Sequence, residues 1–335
     1  MNSNGFIGTW PLFTLGSELH SLLVEHIAST QNKWSVTTDD IANTELSSVE
    51  KHFQENRNEK KFRPVFYKFE SRLKSALIFC DKIYIPYDAT INSWKREISF
   101  VLNISQKEFD NIFISVDKDI GQDSLDSLTT TLTKNELKSF QSKVYATNRE
   151  NYNLSRYKLP NKAQHLKDIG AIFSESISNA LIWGNIVNTT ECKFIAFQDH
   201  ELIPAKGLLK KSSELDLNFS EYKSLIPNFG SLSWRDIHDL RKEKQIINFR
   251  NVISKNNLNS EKELAEHIID DLWDIARSAN KNIASEVFMG IGTNIPLPFP
   301  NPIGIFDSVN GIRKSIKFKT DYSYLLFLMD LQKKI

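Results

Sequence analysis

Asp199, His200 and Glu201 stand together directly after the apolar run at 194–197. Strand ends are where α/β proteins hold reactive groups against a rigid sheet. Alternate side chains of a strand point to opposite faces, so Asp199 and Glu201 converge if the strand persists, and His200 turns away. Asp81 also closes an apolar run, at 76–80, and Asp168 falls near the start of a long amphipathic stretch. Carboxylates gathered from strand ends and helix starts are hard oxygen ligands, the kind that hold Mg²⁺ or Mn²⁺.

In chain order, Asp81, Asp168, Asp199 and Glu201 resemble the carboxylate arrangement of the PIN-type nucleases. The resemblance implies a divalent metal, Mg or Mn, held by these four side chains. It also implies a nucleic-acid partner, because such a metal activates water against a phosphodiester. Without the resemblance, the same residues read as solvated surface carboxylates.

Other chemistries find no pattern. There is no Gly-x-Ser-x-Gly elbow, and neither Cys80 nor Cys192 has a histidine in a recognisable nucleophile motif. The seven histidines show no HExxH spacing. Gly290-Ile291-Gly292 lacks the third glycine of a dinucleotide fingerprint, and no Walker lysine follows a glycine pair. No catalytic residue is assigned, and no cofactor is expected outside the metal alternative. The default reading is therefore a non-catalytic protein that binds or regulates another macromolecule. A third reading is membrane contact through the charge-free stretch from Val287 to Phe306 and the basic residues Arg313, Lys314, Lys317 and Lys319 beyond it. That stretch is not a transmembrane helix, since Pro296, Pro298, Pro300 and Pro302 would leave backbone groups unbonded in hydrocarbon.

The composition bounds these readings. The chain has 335 residues and a formal charge of +1, so no global charge argument points to nucleic acid or membrane. Two cysteines inside apolar runs read as buried thiols of a reducing compartment, and the amino terminus lacks a secretory pattern. A cytoplasmic location is expected, and the abundance of Asn, Lys, Ile and Ser is compatible with a bacterial source.

The elements that must position these residues follow from periodicity. Leu19, Leu22, Leu23 and Ile27 predict a helix from about Ser17 to Ala28, and a short helix is expected at 46–53. Between Val65 and Tyr87 the alternation of Val65, Tyr67 and Phe69, and then the run at 76–80, predict one buried β-segment, with a helix through 72–79 as the alternative. Trp94, Ile98, Val101 and Leu102 have the helical period, and Ile112, Ile114 and Val116 the strand period. A helical stripe over 162–187 precedes a strand at 192–197. Ser233 with Asp236, and Ser260 with Glu263, are helix starts, the second a capping box, and a helix break is expected near Glu243. The tryptophans read as core packing. The fold expected is α+β or α/β, predominantly helical with a small buried β-sheet. A mixed α/β region at 1–150 and a helix-rich region at 151–335 are the expected divisions, unless the two form one continuous unit.

Overall fold

A computed structural model describes residues 3–116, 133–136, 138–139, 141–143, 175–176, 178–184, 186, 192–203, 215, 226–278 and 323–332. The chain divides into two units that interleave along the sequence. One comprises Asn4–Leu73 and Lys82–Ser213, the other Met1–Ser3, Lys74–Asp81 and Glu214–Ile335. The stretch from Val287 to Phe306, its basic neighbours and the expected boundary at 145–160 lie outside the described residues. Among the described residues no helix is long and apolar enough to cross a membrane.

The first unit is built on β1 (Asn4–Phe6), which runs through Gly8 into α1 (Trp10–Thr30). This helix begins seven residues ahead of the expected Ser17, because Pro11 belongs to its first turn, where a missing N–H removes no bond. Its buried stripe, Leu12, Leu15, Leu19, Leu22, Leu23 and Ile27, recurs at helical spacing. Next come α2 (Thr38–Asn43), opened by a capping box between Thr37 and Asp40, and α3 (Glu50–Asn58). Helix α4 (Pro64–Phe79) follows, and β2 (Lys82–Pro86) comes directly after its last turn. The buried β-segment expected between 65 and 87 is therefore confined to β2. Residues 73–80 are all buried, and a helix covered on every side loses the polar face that reveals its period.

Helices α5 (Ala89–Ser93), α6 (Lys95–Val101) and α7 (Gln106–Ile112) lead to β3 (Phe113–Val116). Residues 178–184 are helical, and β4 (Cys192–Phe194) follows. The four strands form one sheet in the order β3-β2-β1-β4. Every pairing is parallel: Asn4 stands opposite both Lys82 and Cys192, and Ile83 opposite Phe113. The fold is thus a helix-rich α/β architecture. On β1 and β4, Phe6 and Phe194 pack with Ile182, Trp183 and Ile186 into a buried cluster that fixes the helix at 178–184 on the sheet.

The second unit holds the last turns of α4 together with α8 (Trp234–Arg241), α9 (Lys244–Lys255), α10 (Glu261–Ser278) and α11 (Ser323–Gln332). The capping box of Ser233 with Asp236 opens α8, and the break expected near Glu243 falls between α8 and α9. At α10, Ser260 accepts from the Glu263 N–H at 3.2 Å, but the Glu263 carboxylate reaches back one residue further, to the N–H of Asn259 at 2.5 Å. Phe79 stacks edge-on against Phe229 and Phe249, and Phe249 also meets Tyr324 and Phe327 of α11. The carboxyl end of α4 is capped by cations. Arg250 donates to the carbonyls of Ile78 at 2.9 Å and Leu77 at 2.8 Å, and Arg241 to those of Leu77, Cys80 and Asp81. These carbonyls have no partner within the helix, and a positive charge also suits the negative end of its dipole. Cys80 and Cys192 are both buried and joined by no disulfide.

Candidate functional site: the crevice at β1 and β4 and the aromatic flank of α1

From β1 the chain passes to β2 on one side, and it later returns to place β4 on the other. In an open parallel sheet this reversal leaves a crevice beyond the carboxyl ends of the two diverging strands, where ligands of such folds bind. Here those ends carry Ile7, Gly8 and Thr9 from β1, and residues 195–201 from β4. Ile182 and Trp183 of the helix at 178–184 pack with Phe6 and Phe194, and Glu175 and Asn179 stand beside Thr9 and Gly8. The Thr9 hydroxyl donates to Glu175 Oε1 at 2.9 Å. Gly8 lies under Asn179: a Cβ there would stand 2.6 Å from Asn179 Nδ2.

Past β4 the strand does not persist. Asp199, His200 and Glu201 form a single 3₁₀ turn, so the alternation expected for this triplet does not operate. Glu201 turns inward and accepts the Phe197 N–H at 2.8 Å, while Arg72 donates to the carbonyls of Phe197 at 2.6 Å and Ala196 at 3.3 Å. Burial raises the Glu201 pKa to about 7; the Phe197 N–H opposes this rise and the negative charge of Glu175 adds to it. His200 is buried as well.

Of the four sequence-derived metal ligands, the described side chains are those of Asp81 and Glu201. Asp81 directly precedes Lys82, where β2 begins, whereas Asp199 and Glu201 follow the end of β4. Since β1 and β4 are parallel, Asp199 and Glu201 follow the sheet at its carboxyl end. Asp81 is instead paired with Arg250 at 3.3 Å. Both acidic positions follow apolar runs, which made them look alike, but the run before Asp81 is the end of a helix. Asp168 and the side chain of Asp199 lie outside the described residues. Among the described residues no three His, Cys, Asp or Glu side chains are placed to hold a metal ion.

A feature that periodicity did not reveal runs along α1 away from the crevice. Four rings stack in the order Trp10, Phe13, Trp94, His20, with centroids 5.4, 4.9 and 4.8 Å apart and planes within 21° of parallel. Phe13 and His20 are two helical turns apart on α1, about 10 Å by helix rise. That gap takes one ring, and the indole of Trp94 fills it. Gly16, midway between them, makes the insertion possible: a Cβ there would lie 2.9 Å from Ile98 Cγ1 and 3.2 Å from Trp94 Cε3. Trp183 and Trp234 are core residues, as expected for the tryptophans, but Trp10 is 38% exposed and Trp34 fully so. Beyond His20 the ladder opens on a groove of about 390 Å³ lined by Thr38, Ile41, Ala42, Ser93, Arg96 and Glu97. The sequence signal for all this is Trp-Pro-x-Phe-x-x-Gly-x-x-x-His at 10–20, aromatic residues spaced around a glycine on one helix face. No protein-family model, curated protein or solved structure matches the chain.

Proposed function

We propose that the protein binds and regulates another macromolecule without chemistry of its own, and that it does so in the reducing cytoplasm of a bacterium. The observation that supports this reading is Gly8. The carboxyl end of the central strand is the position at which α/β enzymes of this topology present a reactive or ligating side chain. Here that position has no side chain, and the Asn179 amide occupies the space one would need. The Thr9 hydroxyl is bonded to Glu175, and the Glu201 carboxyl receives the Phe197 N–H. What the crevice offers outward is the aromatic edge that begins at the exposed Trp10, and large, rigid aromatic side chains are favoured anchors of macromolecular interfaces.

A second reading, a metal-dependent nuclease, is supported by the interaction between Glu175 and Glu201, since two carboxylates that disfavour each other's charge are relieved by a cation. Its ligands would be Glu175, Asp199 and Glu201 with Mg²⁺ or Mn²⁺, and nucleic acid would be the substrate. Asp168 would remain a candidate, and Asp81 would not belong. One experiment separates the readings. Covalent cross-linking of the tagged protein in growing bacteria, with wild type beside Trp10→Ser, is read together with cleavage of RNA and DNA in Mn²⁺ or Mg²⁺. The binding reading expects a cross-linked macromolecule lost in Trp10→Ser and no cleavage. Unchanged cross-linking in the variant, or metal-dependent cleavage, overturns it.

A further inference from the structure

We propose that the groove at the His20 end of the aromatic ladder receives the guanidinium of an arginine side chain from a partner protein. The proposal rests on the binding role above and supplies the chemistry of the partner.

The argument is an account of donors and acceptors. Arg96, the cation of the groove, has five N–H groups, and every one is used. Nε donates to Glu97 Oε1 at 3.1 Å; Nη1 donates to the carbonyls of Ala42 at 2.8 Å and Thr44 at 3.3 Å; Nη2 donates to the Ile41 carbonyl at 2.9 Å and to Glu97 Oε1 at 2.8 Å. Arg96 is spent on the carboxyl end of α2 and on Glu97, so it has no donor left for an anionic ligand. Ser93 gives its proton to the Ala89 carbonyl at 2.9 Å and keeps only acceptor capacity. Glu97 is 5% exposed, and its Oε2 takes no hydrogen bond among the described residues. The second oxygen of this carboxylate, on the wall of the groove, is thus free to accept from a donor that enters from outside. Asp39, next to Thr38 on α2, is exposed and adds negative charge on that helix.

The shape of the donor follows from His20. One face of its ring is parallel to Trp94 within 5°, and no other ring stacks on it among the described residues. A flat cation can lie along such a ring while its edge donates to a carboxylate, which a guanidinium does and a tetrahedral ammonium does not. Phosphate is disfavoured because the Arg96 donors are already taken.

The test uses the full chain and three probes measured by titration calorimetry: a short arginine-rich peptide, a lysine peptide of the same length and charge, and free arginine. The expected order is arginine peptide tightest, by about tenfold over lysine, with free arginine far weaker. Glu97→Gln keeps an oxygen for Arg96 and removes the charge; it should cost the arginine peptide about tenfold and leave the lysine peptide nearly unchanged. His20→Ala, which leaves the Arg96 bonds intact, should bring the two peptides to equal affinity. Equal binding of both peptides to the wild type, or arginine binding indifferent to both substitutions, overturns the proposal. Free arginine binding as tightly as the peptide also overturns it, in favour of a small-molecule site. If the protein cleaves nucleic acid with metal, the non-catalytic role fails while these titrations still decide the groove.

Discussion

Glu201 is a buried carboxyl of the crevice that the fold has moved well above its ordinary range. Its ordinary value of 4.5 applies to the unfolded chain, and the folded value is about 7. The folded state therefore holds a proton that the unfolded state has lost between these limits. The contribution of Glu201 to stability is full below about pH 4.5 and disappears as pH rises through 7. At about 1.4 kcal/mol per unit, the difference is about 3 kcal/mol. Glutamine cannot ionise yet still accepts from Phe197, so Glu201→Gln should gain on the wild type by up to that amount between pH 5 and pH 8. Urea unfolding at the two values measures it, and parallel profiles for the two proteins would refute the burial of this carboxyl. Gly8 makes a second prediction at this scale. Gly8→Ala forces a methyl group against Asn179 and should cost about 1–3 kcal/mol. Most of that cost should return in Gly8→Ala/Asn179→Ala, because the two positions share one space; thermal unfolding of the single and double variants gives the coupling.

Among the elements, α1 and α4 carry the strongest commitments. Replacing Gly16 with alanine sets two effects against each other. Helix propensity favours alanine by about 1 kcal/mol, and overpacking against a fully buried Ile98 costs about 1–3 kcal/mol. With Ile98 Cγ1 2.9 Å away, the clash wins, and Gly16→Ala should lower stability and displace Trp94 from between Phe13 and His20. Near-ultraviolet circular dichroism of the stacked rings reads the second effect separately. At α4, Arg250→Met leaves the Ile78 and Leu77 carbonyls with fewer donors and should cost about 2–4 kcal/mol. Hydrogen exchange should show the loss concentrated in the last turn of α4; uniform loss over the chain would argue against a capping role. These elements also mark where sequence reading succeeds. The starts at Ser233 and Ser260 were legible because a capping box is written in four adjacent residues. Helix α4 was legible only as the alternative to a strand over 72–79, because burial all round erased its polar face. The Trp94 insertion was illegible because it joins Gly16 to a residue far along the chain, and no local period records that.

For the whole molecule, the order β3-β2-β1-β4 decides which distant residues share an end of the sheet. Helix-rich α/β character and most strand positions were readable from period and composition, but strand order was not, and with it went the placement of the candidate site. Glu201 follows β4, and the parallel register sets the carboxyl end of that strand beside the carboxyl end of β1. Glu175 and Asn179, which no motif marked, stand beside Thr9 and Gly8 just past the end of β1. The proposed binding role belongs to an α/β scaffold in which β1 runs through Gly8 into α1. The most direct test is a titration of the purified protein with Mn²⁺ and Mg²⁺, followed by thermal stability and by cleavage of single-stranded and duplex RNA and DNA, with Glu175→Gln and Asp199→Ala beside the wild type. The account predicts no stabilisation and no cleavage in any of the three; stabilisation and cleavage in the wild type that both disappear in the two variants would contradict it.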